Sequence, residues 1–358
     1  MLNFVYFALL ATTLGYASVL VKAWWKWTRE LEEDRRQEEK RTLPSRTKRS
    51  TKRLSIIIPA YNEEKRLPAV LRSTIQYLVK RRDKEGSSFT YEVIVVDDGS
   101  TDQTAVKAWV CGKELGAEDA IKVYTLSKNS GKGAAVRTGM LQAEGDLLLM
   151  MDADGATDLA HGLEALEFAL CTRHIKNSSP SRASERAKGN QIMSEKSRSA
   201  VEKSQQKTSS IIEQAGGYRE LSNQKLAAFG SRAHLEEEDI VTQRTKLRNF
   251  AMHGFHLLVF LVVGGSIRDT QCGFKLFTRK AAFSIFQYQR LKRWCFDVEL
   301  INIAQRLKVP IVEVQVKWQE MEGSKLKFLH VFHMTLELLT IFVCYNLRLW
   351  RIKTGKAL

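Results

Sequence analysis

The joint at which the apolar run Leu147–Met151 meets Asp152-Ala-Asp154-Gly155 constrains the fold more than any other segment. Five consecutive apolar residues read as a strand buried on both faces, of the kind found in parallel sheets covered by helices. Paired carboxylates at its C-terminal end put charge at the edge of the sheet. Alternation along an extended chain sets Asp152 and Asp154 on the same side. In an open α/β sheet that edge is where ligands bind.

The pattern around this joint repeats. Leu54–Pro59 reads as a short strand ended by proline, and a helix beginning at Asn62 carries Val70, Leu71, Ile75 and Leu78 at helical spacing. Tyr91–Val96 is a second strand, running into Asp97-Asp98-Gly99-Ser100 and a helix from Asp102. Residues 121–126 are a third strand, Gly133–Ala143 a helix, and Asp146–Met151 the fourth strand. Order returns at Ala227–Ala233, and Ile311–Trp318 alternates like a further strand. Such alternation predicts right-handed crossovers and a mostly parallel sheet. A length of 358 residues suits one large α/β domain with appendages.

The appendages have their own signatures. Leu2–Val21 holds no charged residue and has the length of a bilayer-spanning helix. The cluster Lys22-Ala-Trp24-Trp25-Lys26-Trp27 that follows suits a membrane interface. No basic segment precedes the run and no clear cleavage site follows it, so residues 1–21 are expected to be a retained transmembrane anchor. Lys22, Lys26, Arg29, Arg35, Arg36, Lys40 and Arg41 crowd its C-terminal flank, which predicts that everything beyond it faces the cytoplasm. Residues 22–53 read as a basic charged tether, residues 54–325 as the main domain, and residues 172–225 within it as a disordered basic insertion. Phe255–Val263, ended by Gly264-Gly265, suits either a core helix or one lying in the bilayer interface. Residues 326–358 contain an apolar segment interrupted by His330, His333, Glu337 and Arg348, and an interfacial amphipathic helix is expected there.

Net charge is +16, from 56 Lys and Arg against 40 Asp and Glu, which calls for an anionic partner. The excess sits in the tether and the insertion, where anionic lipid is the natural counterpart. No aromatic and basic platform outside the anchor supports nucleic-acid binding. The five cysteines, Cys111, Cys171, Cys272, Cys295 and Cys344, are scattered and form no CxxC, which fits a reducing compartment. Asn177-Ser-Ser, a formal glycosylation sequon, would stay unmodified on a cytoplasmic face. Nothing in the sequence bears on oligomeric state.

Chemistry concentrates in the acidic clusters Asp97-Asp98 and Asp152-Ala-Asp154, each at the end of a sheet element. Asp152 and Asp154 can reach one hard divalent cation, which would in turn bridge a diphosphate. A haloacid-dehalogenase-type phosphatase also places DxD after an apolar strand, but on its first strand and with Thr or Val where this chain has Ala156. A P-loop fails because Ser130-Gly131-Lys132-Gly133 lacks the hydroxyl residue after the lysine and the upstream glycine. Capping aspartates before a helix would explain either cluster alone but strain to cover both.

In order and spacing, Pro59-Ala-Tyr61-Asn-Glu63-Glu64, Val95-Val-Asp97-Asp98-Gly-Ser-Thr-Asp102, Gly131-Lys132-Gly133 and Asp152-Ala-Asp154 resemble the family 2 inverting glycosyltransferases. Gly230-Ser-Arg232, Asp269–Phe277, Trp294–Glu299 and Glu322-Gly-Ser-Lys325 look like the polyprenyl-phosphate branch of that family. The resemblance covers residue 54 to about 325 apart from the insertion. It implies a GT-A fold, a Rossmann-like α/β catalytic domain with a mostly parallel sheet, carried between an N-terminal transmembrane helix and a C-terminal amphipathic helix. It further implies inverting transfer of glucose from UDP-glucose to dolichyl phosphate on the cytoplasmic side of the endoplasmic reticulum membrane, for N-glycan precursor assembly. GDP-mannose is the alternative donor, and a non-catalytic nucleotide-sugar-binding membrane protein is the alternative from another class.

By that resemblance Pro59, Tyr61, Glu63, Asp97 and Asp98 would hold the uridine, with Lys132 among the donor-binding residues. Asp152 and Asp154 would bind Mg²⁺ or Mn²⁺ on the diphosphate. Arg232, Arg248, Lys275 and Lys325 are candidates for the phosphates of donor and acceptor, since two anions must approach each other. A phosphate acceptor is already anionic and needs no general base. Asp297 and Glu299 remain alternatives as a base or as ligands for sugar hydroxyls, against a plain polar helix face. Mannosyl relatives often carry Gln at the position of Ala156, so its absence leaves the third metal ligand open and favours glucose. The near-match of Gln289–Trp294 to the QxxRW of processive members has one residue too many.

Overall fold

The computed structural model describes residues 18–37, 49–178, 211–233, 255, 257–319 and 328–353. Seven strands form one sheet: β1 (Lys52–Ala60), β2 (Tyr91–Asp97), β3 (Ile121–Thr125), β4 (Gly145–Met150), β5 (Ala227–Ser231), β6 (Lys275–Thr278) and β7 (Ile311–Gln315). Their order is β3-β2-β1-β4-β6-β5-β7. β6 pairs antiparallel with both β4 and β5, and every other pairing is parallel. The Rossmann-like half, β1 to β4, follows the strand and helix alternation of the sequence. Pro59 is tolerated inside this sheet because β4 pairs with β1 only as far as Ile57, so no ladder bond to that side is lost.

Helices cover both faces: α1 (residues 18–37), α2 (Leu67–Glu85), α3 (Thr104–Glu114), α4 (Lys132–Gln142), α5 (Leu159–Ser178), α6 (Gly217–Ser222), α7 (residues 257–263), α8 (Arg279–Phe286), α9 (Phe296–Arg306) and α10 (Phe328–Asn346). Successive strand residues enter opposite cores. Ile57, Ile94, Val96, Leu148 and Met150 pack with α4, α8, α9 and α10. Ile56, Ile58, Val93, Val95, Leu147 and Leu149 pack with α2, α3 and α5. All five cysteines are buried thiols, and no free thiol is presented at the surface.

Two parts depart from the sequence expectations, and a third, the anchor, lies mostly outside the described residues. Residues 1–17 of the expected anchor lie outside the described residues, and no described helix is long and apolar enough to cross a membrane. The first part of the expected tether is α1, docked on the domain by Leu31 and by ion pairs: Glu32 with Arg290 and Asp34 with Lys292, both at 2.5 Å. Trp24, Trp27 and Leu31, at helical spacing, also pack against the core, a periodicity hidden in an aromatic cluster that reads as a membrane interface.

The ends of the expected disordered insertion are ordered, while residues 179–210 lie outside the described residues. α5 runs to Ser178, and Ile212, Ala215, Tyr218 and Leu221 join the core behind the sheet. Arg81 on α2 ties the two stems together, donating to Glu167 of α5 at 2.8 Å and to Tyr218 of α6 at 2.7 Å.

Candidate active site

The carboxyl ends of β1, β2 and β4 and the N-terminus of α4 meet at one edge. Asp97 and Asp98 are buried there. Asp98 receives the N–H groups of Ser130 and Gly131, each at 2.7 Å. Burial pushes its carboxyl above the ordinary range against those two donors. Gly131 has φ +106°, and a Cβ on it would stand 2.5 Å from the carbonyl oxygen of Lys292, so this turn requires glycine.

The loop after β1 is clasped to the loop after β2. Asn62 N–H donates to Ser100 Oγ, Glu63 N–H to Thr104 Oγ1 and Glu64 N–H to Asp102. Glu63 is taken up by Arg66 in a two-pronged pair at 2.6 and 2.7 Å. Arg66, which sequence reasoning missed, also feels the charges of Asp154 and Asp152. Its only trace in the sequence is the i,i+3 spacing from Glu63. Pro59 is buried at the end of β1, and Tyr61 is half-buried beyond it.

Asp152 and Asp154 follow β4, both half-buried. Asp154 Oδ1 accepts the Ala156 N–H at 3.0 Å. Asp152 Oδ1 is buried and takes no well-directed hydrogen bond; what faces it is the Lys132 ammonium, an ion pair at 2.6 Å. Burial works against the charge on Lys132, but Asp152, Asp297 and Asp154 together raise its pKa above the ordinary lysine value. On its other side Asp152 abuts Gly273, where an added Cβ would lie 2.0 Å from Oδ2. The glycine of Asp269–Phe277 is thus required by the metal-candidate carboxylate.

Lys275 and Asp297 lie beneath this edge. The Lys275 side chain is fully buried, and its ammonium is held by the Asp297 carboxylate and, at 2.8 Å, by the Cys272 carbonyl. That differs from a phosphate contact at the surface: β6 points Lys275 into the core, where Asp297 supplies its countercharge. Burial raises the pKa of Asp297, against the opposing pull of Lys275 and Lys132. Glu299, also buried on α9, accepts the N–H groups of Arg290 and Leu291 and the hydroxyl of Tyr345, so it shapes the preceding loop. Arg232 is held by Asp269 at 2.7 and 3.0 Å and lies over the Trp318 ring. Arg248 and Lys325 lie outside the described residues.

The residues present fit a divalent cation bound jointly with a substrate. Among the described residues no three His, Cys, Asp or Glu side chains converge on a metal. Two carboxylates, Asp152 and Asp154, both act on the Lys132 ammonium, and one of them pairs with it. Mg²⁺ is commonly held this way, by one or two carboxylates with the remaining positions taken by substrate phosphates and water. A cavity of about 180 Å³ lies elsewhere, between α1 and α4, lined among others by Arg35, Arg137 and Gln289; it contains no carboxylate pair of this kind.

Comparison with known proteins shows the family. The profile of Glycosyl transferase family 2 matches residues 55–194. The dolichyl-phosphate beta-glucosyltransferase of Homo sapiens is 42% identical over 316 residues, 88% of this chain and 82% of that protein. That of Drosophila melanogaster is 41% identical over 87% of this chain and 81% of its own length. That of Saccharomyces cerevisiae is 35% identical over 83% and 76%. Among solved structures, glucosyl-3-phosphoglycerate synthase from Mycobacterium tuberculosis with Mn²⁺ and UDP-glucose aligns at 15% identity with a TM-score of 0.46, over 83% of this chain and 79% of that one.

Proposed function

We infer the reaction from membership: the chain belongs to the dolichyl-phosphate β-glucosyltransferases of glycosyl transferase family 2, and it transfers glucose to dolichyl phosphate. The donor in our reading is UDP-glucose and the reaction depends on Mg²⁺ or Mn²⁺. The observation that carries this reading is the Asp152 and Asp154 pair at the carboxyl end of β4, next to Asp98 and Lys132.

Asp152 and Asp154 would hold the ion, which when bound supplies positive charge to the departing diphosphate. Asp97, Asp98 and the clasped loop 61–64 form the wall for the nucleoside, a rigid one because both loops are tied at several points. Lys132 adds a positive charge on the same side. The acceptor phosphate arrives ionised, so its oxygen attacks without a base to deprotonate it. Asp297, paired with Lys275, is free to serve as a fixed countercharge beneath the site. A single displacement inverts the anomeric carbon and gives the β-linked product.

We place the protein on the cytoplasmic face of the endoplasmic reticulum membrane, with residues 1–21 as anchor. Supporting this, Val19, Leu20, Val21 and Trp25 of α1, Leu257, Phe260 and Leu261 of α7, and Leu336, Leu339 and Phe342 of α10 all expose large apolar side chains. Membrane lipid is the partner that such a surface fits.

The test is transfer of labelled sugar to dolichyl phosphate by membranes containing the protein, with UDP-glucose and GDP-mannose in parallel, with and without EDTA. Labelling from UDP-glucose alone, abolished by EDTA and reduced about 10³-fold in Asp154→Asn, is expected for loss of charge stabilisation at the leaving group. Labelling from GDP-mannose, or labelling that EDTA leaves intact, would sink the donor or the metal assignment respectively.

A further inference from the structure

Of the two oxygens of Asp152, one faces a cation and the other lies against the backbone. Oδ2 abuts the backbone at Gly273, which leaves no room even for a methyl group, so the carboxylate cannot swing away from its partner on that side. Oδ1 is buried under the Lys132 ammonium at 2.6 Å. Lys132 stands at the first turn of α4, whose start is anchored twice over. Asp98 grips the N–H groups of Ser130 and Gly131, and the carbonyl of Lys292 accepts the Ala134 N–H at 3.0 Å. The lysine therefore has a fixed base and a four-carbon arm, and its side chain is about one-third exposed.

From this geometry we propose that Lys132 is a resident countercation of Asp152, which leaves that carboxylate for the donor's diphosphate and so makes the metal and the nucleotide bind as a coupled pair. The proposal rests on the metal-dependent reading given above. Without a diphosphate, a divalent ion meets a carboxylate already neutralised by a cation that it must displace into solvent, so it binds weakly. With a diphosphate in the cleft, Lys132 exchanges one anion for another, and Asp152 is released. The linkage is reciprocal: whatever factor the nucleotide adds to metal affinity, the metal adds to nucleotide affinity. Lys132 thereby positions Asp152 and also selects for a ligand carrying a phosphate chain over a free metal ion or an uncharged nucleoside.

The readout is Mn²⁺ binding to the full-length, detergent-solubilised protein, followed by the electron paramagnetic resonance of free Mn²⁺, with and without UDP. Wild type is expected to bind Mn²⁺ weakly alone and more tightly with UDP. Lys132→Met, which keeps the length of the arm and removes its charge, is expected to bind Mn²⁺ alone at least about tenfold more tightly, the scale of one charge at contact distance. Its gain on adding UDP should shrink. Lys132→Arg retains the charge and should behave as wild type in metal binding alone, and thermal unfolding of both variants checks that α4 is intact. If wild type binds Mn²⁺ with UDP but Lys132→Met shows no gain without it, the competition is overturned and the metal-dependent reading stands. If wild type binds no Mn²⁺ even with UDP, that reading falls and the inference with it.

Discussion

The carboxyl edge of the sheet and the layer of terminal helices treat charge in opposite ways. At the sheet edge, Asp152, Asp154 and Lys132 stand half-exposed toward a cleft, held from behind by backbone. In α10 two polar groups turn inward among the core residues Met334, Leu338, Ile341 and Tyr345, while the outward face also carries large apolar side chains. Glu337 and Thr340 are buried, Glu337 accepting the Cys295 N–H at 2.9 Å and Thr340 the Trp24 indole N–H at 2.9 Å, while Leu336, Leu339 and Phe342 are exposed. The first arrangement suits ionic ligands in water. The second, a helix apolar on its outer as well as its inner face, suits surroundings that do not hydrate it. Arg290 joins the two regions. It pairs with Glu32 of α1, donates to the Tyr345 hydroxyl of α10 at 3.0 Å and receives its loop geometry from Glu299.

Breaking that joint should have the largest effect on folding. Arg290→Met leaves Glu32 and Glu299 without their shared buried cation and is expected to destabilise the protein by about 3–5 kcal/mol in denaturant unfolding. A loss below 1 kcal/mol would show that α1 and α10 fold independently of the loop. At the sheet edge, Gly273→Ala forces Asp152 to shift, and transfer should fall about 10²-fold, the scale of a misplaced reacting geometry; unchanged kinetics would mean that Asp152 has room to move.

The two faces of α10 make their own contrast. Glu337→Leu strands the Cys295 N–H and should cost about 1–3 kcal/mol, whereas Leu339→Glu should leave unfolding within about 0.5 kcal/mol yet reduce co-sedimentation with anionic lipid vesicles. Equal effects from the two substitutions would erase the distinction between the faces.

Acidification probes the same joint from the side of Glu32. Burial alone would raise the Glu32 carboxyl, but hydrogen bonds from Arg35 and the charge of Arg290 bring it down from an ordinary 4.5 to about 2. Its contribution is therefore complete above pH 4.5 and is lost as pH falls toward 2, where the unfolded chain takes up the proton first. Trp24 fluorescence should report release of α1 across that window and stay flat in Glu32→Gln.

The sequence disclosed most where one physical signal dominated. Each of the first four strands came out within two residues of its observed bounds; for β1, β2 and β4 the reason is that apolar runs buried on both faces have few alternatives. Asp152, Asp154 and Asp98 do converge at one edge, as the topology of successive β-α units requires. Lys275 misled because a lysine in a motif reads as a surface cation; only the pairing of β6 with β4 reveals that it points inward to Asp297. Gly273 and the charge coupling of Arg66 were hidden for the opposite reason, since both depend on Asp152 or Asp154 from a distant part of the chain. The docking of α1 escaped because Glu32, Asp34 and Arg35 look like any solvated charge run until Arg290 and Lys292 are placed opposite them.

The clasp of Arg81 on Glu167 and Tyr218 sets the two stems of the segment between α5 and α6 on one common support. A chain inserted between stems so joined costs the fold little as it grows, about 0.6 kcal/mol for each doubling of its length. Evolution can thus vary this stretch in size and composition while the catalytic edge is left alone. The same economy makes it the natural splice point for an epitope or a fluorescent domain.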